Sequence, residues 1–231
     1  MRSAARASRG IELVVFDFDG VLVDTSAGHR RAWDDLWRLV GVAGPRYETI
    51  AGRRTLDVVR ERTAALSPSP ERIAEWVAFK QARARLHAAA GDVVFPDARG
   101  VVHELARDGF TLAIGTGASR RAVETALERL ALGELFAAVV AAEDVAAGKP
   151  APDVYRRVLE RVRTRAERAL VIEDSAAGLA AALGAGAWAA AVRSGAAVEH
   201  PRFLGGFEDL VRLRAALLPS AAPAGRSGGG E

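Results

Sequence analysis

Short apolar runs recur along this chain, and each is followed by small, polar or charged residues. The runs at 12–16, 111–115, 137–141, 169–172 and 188–192 are four or five residues long and rich in Val, Ile, Leu and Ala. Runs of this length between turn residues are typical of buried β-strands. Most of the stretches between them repeat apolar residues with the period of an α-helix, and strands that alternate with helices form a parallel sheet. The pattern therefore predicts an α/β fold with a Rossmann-like, three-layer core.

The long gap between the first two of these strands breaks the alternation. Residues 25–95 contain no convincing strand, and the stretch is too long for a simple connection. Its helical patterns lie at 29–40, 55–65 and 71–90. We predict a small α-helical cap domain inserted here, with hinges near 24–27 and 92–97. Three tryptophans are expected to form its core: Trp33, Trp37 and Trp76.

These boundaries predict a core domain of residues 11–24 and 96–218 around a helical cap domain of residues 25–95. Residues 1–10 and 219–231 are expected to be flexible, since the tail is Pro, Ala, Gly and Ser with no apolar face. No stretch approaches the roughly 18 apolar residues of a membrane span, and the amino terminus lacks the apolar segment of a secretion signal. We therefore expect a cytoplasmic protein without a membrane partner. Without a heptad or an unusual apolar stripe, we expect a monomer.

The amino-acid composition excludes several kinds of functional site. The 231 residues include no cysteine, which excludes disulfides, zinc–cysteine sites and a thiolate nucleophile. The formal net charge is only +3, from 32 Lys and Arg against 29 Asp and Glu. The arginines lie among glutamates on predicted helices, so we expect solvated helix faces and no nucleic-acid partner. All basic residues are arginine except Lys80 and Lys149, and a lysine in such a chain hints at a site that needs a compact ammonium group.

The first strand ends in two carboxylates and a glycine. Asp17 and Asp19 are two positions apart, so on an extended strand their side chains point the same way, and Gly20 allows a sharp turn after them. Two carboxylates that converge repel each other unless a cation or a shared proton intervenes. The pair suggests a hard metal ion such as Mg²⁺, with one carboxylate free to act as a nucleophile and the other as an acid or base.

The ends of three later strands carry further polar groups, and ligands of parallel sheets bind at such ends. Thr116 follows the strand at 111–115 and opens a small-residue turn into a helix, whose amides can hold an anion such as phosphate. Lys149 lies in a loop stiffened by two prolines, where an ammonium group can neutralise a transferring phosphoryl group. Glu173 and Asp174 end the strand at 169–172, and one of them can complete a magnesium shell shared with Asp17.

With these four segments in order, the chain resembles the haloacid dehalogenase superfamily of aspartate-nucleophile phosphotransferases. The resemblance covers residues 11–218. The insert after the first motif and the run Asp17-Phe-Asp-Gly-Val-Leu-Val-Asp-Thr25, followed by His29 and Trp33, resemble the branch that contains beta-phosphoglucomutases and phosphoglycolate or sugar-phosphate phosphatases.

The resemblance implies a role for each motif. Asp17 would form an aspartyl-phosphate, and Asp19 would act as the general acid and base. Thr116 and the amides that follow it, at Gly117 and Ala118, would bind the phosphoryl oxygens, and Lys149 would balance their charge. The resemblance also implies a set of Mg²⁺ ligands: Asp17, the main-chain carbonyl of Asp19, and Asp174, with Glu173 assisting through the outer shell or its waters.

The residues of the predicted cap do not decide between a phosphatase and a mutase. His29 and Lys80 fall where the mutases carry a histidine and a lysine, and either can instead have a structural role. The segment 51–55 lacks the lysine expected of a mutase, and Arg53 or Arg54 can replace it as a ligand for a distal phosphate. We therefore favour a Mg²⁺-dependent phosphatase acting on a small phosphorylated metabolite, of the sugar phosphate or phosphoglycolate type. The alternatives are a beta-phosphoglucomutase and, more remotely, a noncatalytic nucleic-acid-binding module.

Overall fold

A computed structural model describes residues 10–88 and 93–218 of the chain. Its main sheet has six parallel strands in the order β5-β4-β1-β6-β7-β8, and a separate antiparallel pair joins β2 to β3. The strands are β1 (Leu13–Phe16), β2 (Val23–Asp24), β3 (Val93–Val94), β4 (Thr111–Gly115), β5 (Phe136–Val140), β6 (Ala169–Glu173), β7 (Trp188–Val192) and β8 (Phe203–Phe207). The predicted α/β fold with a parallel sheet is confirmed.

Helices fill most of the connections. They are α1 (Ser26–Val40), α2 (Tyr47–Ile50), α3 (Thr55–Thr63), α4 (Pro70–Ala88), α5 (Ala98–Arg107), α6 (Arg120–Leu130), α7 (Asp153–Val162), α8 (Ala176–Gly184) and α9 (Leu210–Leu217). Helices α1 to α4 occupy residues 26–88, which we call the helical segment. The remaining helices flank the six-stranded sheet.

The central strand shows how the sheet is buried on both faces. Leu13 and Val15 belong to one apolar cluster, with residues of α7 and α8. Val14 and Phe16 belong to the other, with residues of α5, α6 and α9. Side chains alternate between the faces of a strand, so a strand covered on both sides reads as a continuous apolar run. This burial fixes β1 in the middle of the sheet and carries Asp17 to its centre.

The five predicted strands of the sheet form within one residue of their expected ends, but the sequence pattern did not predict three other strands, β2, β3 and β8. Strand β8 contains Gly205 and Gly206 and lies at the sheet edge, where only part of its surface is buried. Strands β2 and β3 have two residues each, and β3 corrects the expectation that residues 25–95 contain no strand. Two-residue pairs depend on tertiary contacts, because so short a run carries no periodicity.

The helical segment has its own apolar cluster. Trp33 and Trp37 of α1 are buried and stack with ring centroids 5.1 Å apart, and Trp76 of α4 packs against the same cluster. The expected tryptophan core is therefore present. The division into a core domain and a cap domain at 24–27 and 92–97 stays a prediction, and Asp92 lies outside the described residues.

The flexible termini predicted at 1–10 and 219–231 fall almost entirely outside the residues that the structure describes. Within residues 10–88 and 93–218, none of the helices has the length and apolar character that crossing a membrane requires.

Candidate active site

Strand β1 delivers the first carboxylate to the centre of the molecule. The amide of Asp17 continues the sheet ladder by donating to the Ile172 carbonyl at 2.9 Å, and the Asp17 side chain is 2 % exposed. The chain then turns through Gly20, whose φ of 78° favours glycine. Asp19 is half-buried and accepts a 2.7 Å hydrogen bond from the hydroxyl of Thr25. Both carboxylates line the same cleft, as the sequence spacing predicted.

Lys149, from the loop after β5, contacts Asp17. Its Nζ lies 2.8 Å from Asp17 Oδ1 and 2.5 Å from Glu173 Oε1, and the side chain is almost fully buried. Burial by itself lowers the pKa of Lys149, but the adjacent charges of Asp17 and Glu173 outweigh that effect and raise it above its usual value. Lys149 is therefore held as an ammonium ion within the protein.

Glu173 is held by donors on both of its oxygens. Oε1 accepts from Lys149 and from the hydroxyl of Tyr155, the latter at 2.5 Å. Oε2 accepts from the amides of Asp174 and Ser175 and from the hydroxyl of Ser175. Because its lone pairs are occupied, Glu173 is suited to orienting its neighbours rather than to binding a ligand directly.

Three carboxylates converge beside this network. Single oxygens of Asp17, Glu173 and Asp174 all lie within 4.8 Å of one another, close enough to hold a metal ion. Gly20 permits the approach, because a Cβ at that position would overlap the Asp174 carboxylate. Burial first, and then neighbouring charge, raises the pKa of Asp17 to about 7 and that of Asp174 to about 8. Three carboxyl groups lie around a single ammonium group, so a cation bound by their oxygens would favour the ionised carboxylates, and such a cation fits the cluster.

Strand β4 brings Thr116 to the same edge of the sheet. Thr116 is buried, and its hydroxyl accepts a 3.1 Å hydrogen bond from the amide of Ala118. Helix α6 begins only at Arg120, so Thr116 is not its N-cap. Gly117 and Ala118 line the cleft with Thr116.

A cleft of about 460 Å³ lies between these loops and the helical segment. Its volume suits a small metabolite. The core side of the cleft is formed by Asp17, Asp19, Thr116, Gly117, Ala118 and Arg121. The helical segment contributes His29, Trp33, Tyr47, Arg53, Lys80 and Arg85. The site thus includes residues from both parts of the chain.

His29 and Lys80 form a pair in the wall of this cleft. Lys80 Nζ lies 2.9 Å from His29 Nδ1 and 4.8 Å from the ring centroid of Trp33. Because an ammonium group can only donate, the neutral imidazole accepts this hydrogen bond. Burial, followed by the charge of Lys80, lowers the pKa of His29 to about 4, and burial lowers the pKa of Lys80 to about 8.

The two arginines proposed as ligands for a distal phosphate differ in their contacts. Arg53 lines the cleft and forms an ion pair of 2.5 Å with Glu61. Arg54 instead donates to the main-chain carbonyls of Val145 and Ala146. Its guanidinium group is therefore engaged with the core loop before Lys149 rather than placed among the cleft residues.

Tyr155 is the main site residue that the sequence pattern did not reveal. It is buried on α7, six positions after Lys149, and its ring lies 5.0 Å from the Lys149 ammonium. Gly115 makes room for it, since a Cβ there would approach the Tyr155 ring to 2.9 Å. In the sequence, Tyr155 is indistinguishable from an ordinary apolar position of an amphipathic helix.

The fold and the arrangement of the site residues together indicate which family of proteins the chain belongs to. Buried carboxylates, a lysine and a hydroxyl meet at the carboxyl ends of parallel strands, beneath a helical insert. The model of the haloacid dehalogenase-like hydrolases matches residues 11–186. The chain belongs to this family.

Several known proteins are similar to this chain. Protein CbbY of Cereibacter sphaeroides is 35% identical over 189 residues, covering 76% of this chain and 81% of the relative. The fructose-1-phosphate phosphatase YqaB of Escherichia coli is 32% identical over 193 residues, covering 78% of this chain and 95% of that enzyme. A crystal structure of mutant CbbY from Rhodobacter sphaeroides with xylulose-(1,5)bisphosphate has a TM-score of 0.71 at 30% identity, covering 90% of this chain and 99% of that one.

Proposed function

We propose that this protein is a Mg²⁺-dependent phosphohydrolase that releases phosphate from a small phosphorylated sugar through an aspartyl-phosphate on Asp17. The observation that carries the proposal is the buried contact of Asp17 with Lys149 at the end of the central strand. Family membership and relatives named as phosphatases support a phosphohydrolase. The residues around Asp17 then account for each step.

In the first step, an Asp17 carboxylate oxygen attacks phosphorus, and the bond from phosphorus to the leaving oxygen breaks. Asp19 gives that leaving oxygen its proton. In the second step, water attacks the phosphorus of the aspartyl-phosphate while Asp19 takes a proton from it, which releases phosphate and restores the Asp17 carboxylate. The Thr25 hydroxyl, 2.7 Å from Asp19 Oδ1, orients the carboxyl group for both transfers.

Charge on the transferring group is balanced by several fixed donors. Lys149 remains an ammonium ion and lies beside the attacking carboxylate. Thr116 and the amides of the following turn would bind the phosphoryl oxygens. Preorganised donors of this kind stabilise charge that develops in the transition state.

The acidic cluster is the proposed magnesium site. Asp17, Asp174 and the main-chain carbonyl of Asp19 would hold the ion directly. Glu173 would act through waters, because its own oxygens already accept several hydrogen bonds. Bound there, Mg²⁺ would neutralise part of the negative charge of the three carboxylates.

We propose that the helical segment is the cap that selects the leaving group. It supplies one wall of the cleft, whose lining includes both acidic and basic side chains. Asp17 and Asp19 are among the acidic residues that line it, and Arg53, Arg85 and Arg121 are among the basic ones. A sugar phosphate that carries a second phosphate complements this distribution, and a relative was crystallised with such a bisphosphate.

A mutase remains the second candidate because of one observation. His29 and Lys80 contact each other in the cleft wall, where they can hold the hydroxyl groups of a sugar that re-enters the site. In a mutase, a second hydroxyl of the sugar rather than water would attack the phosphorus of the aspartyl-phosphate, which transfers the phosphoryl group to the sugar and restores the Asp17 carboxylate.

Phosphorus NMR of the purified protein with Mg²⁺ tests both functions. The panel contains fructose 1-phosphate, xylulose 1,5-bisphosphate, phosphoglycolate, and beta-glucose 1-phosphate with a trace of its 1,6-bisphosphate. Growth of the inorganic phosphate signal is expected, with faster release from a bisphosphate. Conversion of the 1-phosphate signal to a 6-phosphate signal without free phosphate would establish the mutase. Persistence of either reaction in Asp17→Asn would refute the nucleophile assignment.

A further inference from the structure

Arg54 connects the helical segment to the loop that presents Lys149. Its Nη1 donates to the carbonyl of Ala146 at 2.7 Å and to that of Val145 at 3.3 Å. These partners lie 92 and 91 residues further along the chain, on the core side of the cleft. We propose that Arg54 is a positioning residue that couples closure of the helical segment to the placement of Lys149.

The contact extends to the backbone next to the lysine. Gly148 directly precedes Lys149, and a Cβ at Gly148 would overlap the Arg54 Cβ and lie 2.8 Å from Asp57 Oδ2. The absence of a side chain at Gly148 therefore allows the start of α3 to press against this loop. Movement of the helical segment away from the core would remove this support together with the two hydrogen bonds.

The turn before α3 also contacts two other loops of the site. A Cβ at Gly52 would overlap Ser175 Oγ, and a Cβ at Gly117 would lie 3.3 Å from the Gly52 carbonyl oxygen. The turn before α3 therefore contacts the loops that follow β4 and β6, while Arg54 contacts the loop that follows β5. Of these contacts, those of Arg54 are charge-assisted hydrogen bonds, which are stronger than neutral ones.

Because of these contacts, closure of the helical segment over the cleft would affect the position of the catalytic Lys149. A ligand shifts a conformational equilibrium only through contacts that differ between the two states. When the helical segment is closed, the carbonyls of Val145 and Ala146 have a guanidinium donor, and when it opens they face water. A substrate that draws the segment closed therefore also fixes the loop that aims Lys149 at Asp17, so catalytic power depends on a well-fitted leaving group.

Hydrogen–deuterium exchange of the ligand-free protein tests the coupling directly. In Arg54→Ala, the peptide that spans residues 142–151 is expected to exchange about tenfold faster than in the unaltered protein. Arg62→Ala is the matched control, because Arg62 also donates to a main-chain carbonyl, that of Ala43, but within the helical segment. Unchanged exchange in Arg54→Ala, or equal acceleration in both variants, would overturn the proposal.

Kinetics test the consequence for turnover, which rests on the proposed function, whereas the exchange measurement does not. We expect kcat for phosphate release from a sugar phosphate to fall about tenfold in Arg54→Ala, and to fall less with acetyl phosphate, whose leaving group is too small to draw the helical segment closed. The melting temperatures of Arg54→Ala and Arg62→Ala should match, and Arg54→Lys should recover part of kcat. A rise in KM with unchanged kcat would instead make Arg54 a substrate ligand and refute the positioning role.

Discussion

The Nζ atom of Lys149 lies 2.8 Å from Oδ1 of Asp17, although 132 residues separate the two positions in the chain. The same ammonium group contacts Glu173, so one cation is shared between two buried carboxylates. A buried charge that loses its partner is strongly destabilising. We therefore expect the ion pairs of the proposed catalytic centre to stabilise the folded protein as well.

Replacing the lysine tests this dual role. In Lys149→Met, kcat should fall about a thousandfold because the charge on the transferring phosphoryl group is no longer balanced. The free energy of unfolding should fall by about 3 kcal/mol, since Asp17 and Glu173 lose their shared cation. Phosphate release and urea denaturation measure the two effects, and a full loss of activity without any loss of stability would contradict a structural role for the ion pair.

The hydroxyl of Tyr155 is expected to act through Glu173. Tyr155→Phe preserves the ring beside Lys149 but removes the 2.5 Å hydrogen bond to Glu173. Loss of this bond should lower the unfolding free energy by about 1–2 kcal/mol and reduce kcat by about tenfold, because Glu173 helps to orient Lys149. Val158→Ala on the same helix is the control for packing alone. If both variants lost stability while kcat stayed unchanged in each, Tyr155 would be a core residue only.

Two glycines of α8 provide a matched pair of substitutions. A Cβ at Gly178 would overlap the Glu173 carboxyl group, whereas a Cβ at Gly184 would lie in ordinary contact with Pro152, 3.5 Å away. Alanine favours a helix by about 0.8–1.0 kcal/mol relative to glycine. Gly184→Ala should therefore be neutral or stabilising, while Gly178→Ala should abolish activity and lower the melting temperature. Equal behaviour of the two variants would show that Glu173 can move without consequence.

His29 should make the protein sensitive to acid. Burial and the charge of Lys80 lower its pKa to about 4 in the folded protein, compared with about 6.5 in an unfolded chain. As the pH falls from about 6.5 to 4, the unfolded chain gains a proton that the folded protein does not, so stability is lost across this window.

The expected size of this loss is about 2 kcal/mol, which allows for the partial exposure of the ring to the cleft. Urea denaturation at pH 7 and at pH 4.5 measures it, and His29→Gln should flatten the dependence. His103→Gln on α5 is the control. A dependence that persists unchanged in His29→Gln would assign the acid sensitivity to other groups.

Removal of Mg²⁺ should be visible in thermal stability. A ligand present at a hundred times its dissociation constant stabilises the folded state by about 2.7 kcal/mol. Calorimetry should therefore show a higher melting temperature with Mg²⁺ than with a chelator, and Asp174→Asn should remove most of the difference. Asp24→Asn alters an exposed carboxylate that contacts Ser26, and it should leave the Mg²⁺ effect intact. An equal Mg²⁺ effect in Asp174→Asn would place the ion elsewhere.

The sequence could place the site because of where its polar residues fall. Asp17, Thr116 and Glu173 each directly follow or end a buried strand, and parallel strands bring such ends to one edge of the sheet. Lys149 required one further inference, since it lies in a loop nine residues after the end of β5. The structure brings Lys149, Glu173 and Asp174 close to Asp17, and Thr116 lines the same cleft as Asp17.

Other features had no local signal. The edge strand β8 is half-buried and contains two glycines, so neither composition nor alternation marks it. The beginning of α1 at Ser26, three residues before the predicted start, reflects a polar first turn that the apolar period does not cover. For β8, tertiary pairing with β7 rather than the segment's own residues sets the ends of the strand.

The sequence by itself determined the alternation of strands and helices, the helical insert and the acidic, hydroxyl and lysine groups at the strand ends, because apolar period and turn chemistry are local properties. Only the tertiary structure decided which groups meet across the fold. Tyr155 bonds Glu173, Lys80 bonds His29, and Arg54 reaches the loop before Lys149. Each of these contacts joins residues far apart in the chain, and their geometry depends on how helices pack over the sheet.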